Sequence, residues 1–202
     1  LDRSVVDPES RQWTMKDYCD PEHPLQRMIA EEIASFTGEP VGTSGIDGCG
    51  APVAAVSALG LARAYSTLGT AIRNMDADAR ASTVATAMVD YPELIQAPGM
   101  PDTVLSEQLD AVVKSGAAGV LCVGLRSGAS VVVKISDGAT RAAYPVALWA
   151  LEATGHLPSE QVQQLLPQVT RPVIGGVQDN APREVGGWVP GADLEPLVGE
   201  SA

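Results

Sequence analysis

Ile46-Asp47-Gly48-Cys49-Gly50-Ala51-Pro52 places a carboxylate and a thiol two residues apart on a glycine-flexible bend. A thiolate in such a bend is a nucleophile or a soft metal ligand. The apolar run from Val53 to Leu68 predicts a helix directly after the bend. A helix N-terminus stabilises negative charge and would favour the thiolate of Cys49. A buried cysteine packed as a small hydrophobe fits the same residues, because no second cysteine or histidine stands at metal-ligand spacing.

Val113-Lys114-Ser115-Gly116 is a second candidate, with a lysine closing an apolar strand just before a glycine. A desolvated lysine amine serves as a general base, and a charged one holds a carboxylate as a point charge. A Lys-Ser/Thr-Gly triplet on a strand also occurs at serine β-lactamase-type sites. An exposed strand-end lysine without chemistry looks the same. Lys134, between Val133 and Ile135, reads as a solvent-facing or ion-paired strand residue. The two histidines, His23 before Pro24 and His156 after Gly155, sit at a helix start and a helix end. His156 suits a C-terminal cap and His23 a structural contact, rather than a triad or a metal cluster. No G-x-S-x-G, P-loop or dinucleotide fingerprint is present, and no serine begins an S-x-x-K.

These residues need elements to hold them. Leu25, Met28, Ile29, Ile33 and Phe36 recur at helical spacing after Pro24 and stop at Gly38. Asp76 or Asp78 caps a helix running to about Val89, PEL at 92–94 forms a short turn of helix, and Asp102 opens another. Val-rich runs at 111–114, 118–125 and 130–136, separated by glycine turns, predict antiparallel strands. A long helix over about 139–154 and a shorter one over 158–166 follow, and REVGGWV at 183–189 suits an edge strand. Residues 1–20 read as a polar entry arm. Helices, a meander and helices again give an α+β or layered α/β architecture.

Composition narrows the class. With 13 basic and 25 acidic residues the net charge is −12, and no Lys/Arg cluster offers a match to phosphate backbones or anionic lipid. Nucleic acid and membrane surfaces are therefore not expected as partners. No stretch reaches the roughly 18 apolar residues of a membrane span, and LDRSVVDPES lacks the layout of a secretory signal. Cys19, Cys49 and Cys122 are too few and too scattered for a disulfide framework, which points to a reducing, cytoplasmic setting. The first residue is Leu1 rather than Met, which suggests an upstream segment.

Taken in order, DPEHPLQ at 20–26, GIDGCGAP at 45–52, LARAY at 61–65, YPELI at 91–95, VVKSGAAGVLCVGL at 112–125 and VVVKISDGATRAAYPVALWAL at 131–151 resemble the asparaginase II family of Rhizobium-type, thermolabile enzymes. The resemblance spans about residues 18–155 and weakens over 156–202. It implies a fold similar to serine β-lactamases and glutaminases, with the whole of 1–202 forming the C-terminal portion of one such domain. It also implies hydrolysis of L-asparagine to L-aspartate and ammonia through paired serines and lysines. A zinc ion is expected nearby, held by two cysteines and a lysine. By that resemblance Lys114 matches the lysine of the second Ser-Lys pair and is catalytic. Cys49 matches the last metal-ligand cysteine, and Asp47 matches an acidic residue near the substrate's amino group. The family's S-x-x-K and Cys-x-x-Lys are missing, and Tyr91 stands where the family tends to have histidine. The Ser-Lys site would then be completed by an N-terminal half outside this chain. A closed homodimer is the default expectation for a soluble enzyme. The alternative is a non-catalytic pseudo-enzyme or regulatory subunit that keeps the scaffold.

Overall fold

The computed structural model describes residues 17–42, 44–178 and 181–191, so the expected entry arm lies largely outside the described residues. The chain divides into two compact units, Leu1–Gly60 and Leu61–Ala202. Among the described residues, no helix is long and apolar enough to cross a membrane. Helices combine with small antiparallel sheets, an α+β architecture.

In the first unit, helix α1 spans Pro24–Thr37. Its N-cap is His23, whose Nδ1 accepts the Leu25 N–H at 3.1 Å, so the imidazole satisfies one of the amides a helix start leaves bare. Gly38 ends the helix at φ 67°, where a side chain would be strained. Strands β1 (Ser44–Ile46) and β2 (Pro52–Ala54) pair antiparallel, with Ile46 opposite Pro52 and Gly45 opposite Val53.

The helix expected from Val53 begins later: α2 covers Ala58–Ala71. Pro52 and Val53 are committed to the hairpin, and Ser57 marks the true start by accepting the Gly60 N–H on its Oγ at 2.9 Å. Glu39 holds that serine in place through its hydroxyl at 2.8 Å.

The second unit is built on the meander predicted from the Val-rich runs. β3 (Val112–Gly116), β4 (Val120–Gly124) and β5 (Ser130–Lys134) form an antiparallel sheet in the order β3-β4-β5. Helices α3 (Ala79–Asp90, capped by the Asp78 side chain), α4 (Pro101–Leu109), α5 (Ala143–Ala153) and α6 (Ser159–Val169) surround it. The core joins Leu105, Val113, Leu121, Val123, Leu148 and Leu165 from α4, the sheet, α5 and α6. β6 (Val173–Gln178) and β7 (Ala181–Gly186) make a final hairpin, of which only the second strand was expected.

The residues of α2 that belong to this unit approach the sheet through backbone rather than side chains. A Cβ on Gly124 would lie 2.1 Å from the Tyr65 carbonyl oxygen, and one on Gly69 would lie 2.3 Å from that of Leu125. Both positions tolerate only hydrogen. Gly124→Ala is expected to destabilise the protein by about 1–3 kcal/mol through forced displacement of α2. Urea unfolding measures this, and an unchanged midpoint would contradict the packing.

Candidate functional site

Asp47 and Cys49 lie in the turn joining β1 to β2, not at a helix N-terminus. The turn is closed by the Asp47 N–H to the Ala51 carbonyl at 2.9 Å and the Gly50 N–H to the Asp47 carbonyl at 2.8 Å. Gly50 supplies the required φ of 86°. The expected helix dipole is therefore missing from the immediate surroundings of Cys49. Its thiol instead contacts its own neighbour, with Sγ 3.7 Å from Asp47 Oδ2, while Asp47 Oδ1 accepts the Gly48 N–H at 2.8 Å. Both residues are exposed, so Cys49 is not the buried hydrophobe that its sequence also allowed.

The donor set can be compared with zinc. Among the described residues no three His, Cys, Asp or Glu side chains converge on a common point. One thiol and one carboxylate supply two of the four donors a structural zinc ion takes. The described residues do not fit the ion on their own.

Lys114 does not close its strand as expected but lies at the middle of β3 in the second unit, because the pairing with β4 continues through Ser115 and Gly116. It is exposed, in register opposite Cys122 of β4. Successive strand residues face opposite sides, so Lys114 and Cys122 share one face while Val113 and Ser115 point to the core side. The Lys114 amine folds back and donates to the Ser115 carbonyl. Cys122 is buried, which pushes its thiol up to about 11, against the opposing pull of the Lys114 charge. It cannot serve as a nucleophile near neutral pH.

On the other face lies a cluster that the sequence did not announce. Asp102, 2% exposed, was expected to open a helix; α4 does begin there, but the Asp102 side chain turns inward instead of capping it. Its Oδ2 accepts both the N–H of Ser115 at 2.9 Å and the Ser115 hydroxyl at 2.7 Å. Its Oδ1 accepts the Tyr144 phenol at 2.9 Å, and its own N–H donates to Gln96 Oε1 at 2.7 Å. Three donors offset the cost of burying a carboxyl group, roughly several kcal/mol if it were left bare. Burial, with the Asp102 charge adding to it, pushes the Tyr144 phenol up to about 12. Tyr144 and Gln96 also line a cavity of about 540 Å³ with Met100, Arg141, Arg171 and Trp188.

Other candidates are structural. His23 is the α1 cap already described, and His156 uses its backbone N–H to close the end of α5 on the Leu151 carbonyl at 2.8 Å. Lys134 donates to the Ala118 and Ile135 carbonyls, both at 2.7 Å.

The L-asparaginase II family model matches residues 6–184, most of the chain. No curated protein matches it.

Two outcomes follow from the environments of these groups. Iodoacetamide at pH 8 should modify exposed Cys49 and spare Cys122, of which roughly one molecule in a thousand would be thiolate, until the chain is unfolded. Peptide mass spectrometry reads this directly. Tyr144 binds its proton more tightly folded, near 12, than at its ordinary 10.0. The stability it contributes is therefore complete below about pH 10 and is lost as pH rises towards 12. Thermal unfolding of the wild type should fall more steeply across that window than that of Tyr144→Phe.

Proposed function

Since the chain belongs to the L-asparaginase II family, we propose that it is an amidohydrolase that converts L-asparagine to L-aspartate and ammonia. The observation that carries the reading to a residue is Lys114. It stands at the middle of an edge strand, its amine exposed and its neighbour Ser115 tied to a buried carboxyl group. A side-chain amide is a weak electrophile, so its hydrolysis needs a hydroxyl stripped of its proton. Once the segment that brings this hydroxyl covers and desolvates its amine, Lys114 takes that proton as the oxygen attacks the carboxamide carbon, and returns it to the nitrogen as ammonia leaves. Water then releases aspartate from the acyl intermediate.

No serine of this sequence stands three residues before a lysine. The nucleophilic serine of the proposed Ser-Lys site is therefore assigned to a segment outside these residues. Asp47, exposed on its turn, is the proposed carboxylate for the substrate's ammonium group. Cys49 is the proposed metal ligand. The implied zinc finds only these two donors among the described residues, so no step is derived through it. The reading extends to a β-lactamase/glutaminase-like fold and a cytoplasmic homodimer.

A second reading, a pseudo-enzyme that retains the scaffold, is favoured by the missing S-x-x-K. Ammonia release from L-asparagine by the full-length protein separates the two. Under the first reading turnover is measurable, and Lys114→Ala lowers it by about 10²–10⁴-fold, the usual worth of a general base. Full turnover in Lys114→Ala would remove that residue from the mechanism, and no turnover by the wild type would favour the second reading.

A further inference from the structure

Among the described residues β3 has a strand on one side only, so one row of its amides lacks a ladder partner. At Ser115 that row meets the buried carboxyl group of Asp102, which takes both the amide and the hydroxyl of the serine. The carboxyl group is held from behind by Tyr144 on α5, and its backbone by Gln96. The remaining polar group of Ser115, its carbonyl, receives the Lys114 amine. A continuous hydrogen-bonded chain thus runs from Tyr144 through Asp102 and Ser115 to Nζ of Lys114.

Resting on the reading of Lys114 as the base, we propose that Asp102 is a positioning residue for Lys114. By fixing the amide and the hydroxyl of Ser115 it orients the residue on whose carbonyl the Lys114 amine rests, and so sets the direction from which that amine reaches a reacting hydroxyl. Asp102 itself touches no reacting atom. Lys134 supplies the contrast. It occupies the opposite edge strand and rests on two carbonyls, with no buried carboxyl group behind it. Charged edge lysines discourage pairing with other chains, a role open to both. That role gives no reason to bury an aspartate beneath one of them.

The test uses Asp102→Ala, Asp102→Asn and the double variant Ser115→Ala/Tyr144→Phe in the full-length protein, each checked for folding by circular dichroism. Asparagine keeps an oxygen for the two Ser115 donors, and its amide can donate to the phenol oxygen of Tyr144. Two readouts are taken: kcat and KM for L-asparagine, and acetylation of Lys114 relative to Lys134 by trace acetic anhydride. Asp102→Ala is expected to lower kcat about 10- to 100-fold with KM within about twofold, as misplacement of a reacting group does. The Lys114:Lys134 labelling ratio should shift about threefold or more, and Asp102→Asn should restore most of both.

If Asp102→Ala does not fold, the double variant, which leaves the carboxyl group one donor, carries the same expectation. Wild-type kcat together with a wild-type labelling ratio in whichever variant folds would overturn the proposal. Lys114→Ala, assayed alongside, isolates the underlying reading. Full turnover there would dismiss Lys114 as the base, while the labelling ratio would still decide whether Asp102 places its amine.

Discussion

An edge strand must dispose of the amides that no neighbour receives, and in this protein a buried aspartate does so at the point where chemistry is expected. Asp102 accepts three donors from two elements, Ser115 on β3 and Tyr144 on α5. It thereby ties the edge of the sheet to the helix packed over it. The arrangement is demanding, because a carboxyl group without water is tolerable only when its acceptor sites are filled. Loss of one donor weakens the grip on the others. The strand carrying Lys114 consequently has a defined backbone, although the lysine side chain itself stands in solvent.

The rest of the second unit maintains that geometry. Leu105 of α4 is fully buried in the same core as Val113, so the helix bearing Asp102 and the strand bearing Ser115 are held by shared apolar contacts. On the opposite face, Gly69 and Gly124 let α2 and the sheet meet backbone to backbone. That closeness buries Cys122 and raises its thiol out of the reactive range, while Lys114 and Lys134 on the same face remain exposed.

Much of this was legible in the sequence for identifiable reasons. Proline at the start and glycine at the end bounded α1, Asp76 or Asp78 was the expected start of α3 and Asp78 is its cap, and three Val-rich runs separated by turns became β3, β4 and β5. The reading went astray at Val53, where an Ala-rich apolar run resembled a helix from its first residue. Pro52 and Val53 instead pair with β1, because the turn from Asp47 to Ala51, with Gly50 at φ 86°, folds the chain back on itself. The neighbourhood of Cys49 changed accordingly, from a helix start to an exposed turn. Periodicity reports which residues are apolar, not which backbone finds a partner across a bend.

Family membership, the order of the elements and the candidacy of Lys114, Asp47 and Cys49 could all be read along the chain, since each depends on residue types at short spacing. Asp102 could not. In sequence it looks like an ordinary acid in the first turn of a helix, thirteen positions ahead of Ser115 and forty-two ahead of Tyr144. Helix geometry leaves such a side chain free to cap its own amides or to turn inward. Only the packing of α4 against β3 and α5, which brings two hydroxyls and an unpaired strand amide to one point, decides that it turns inward.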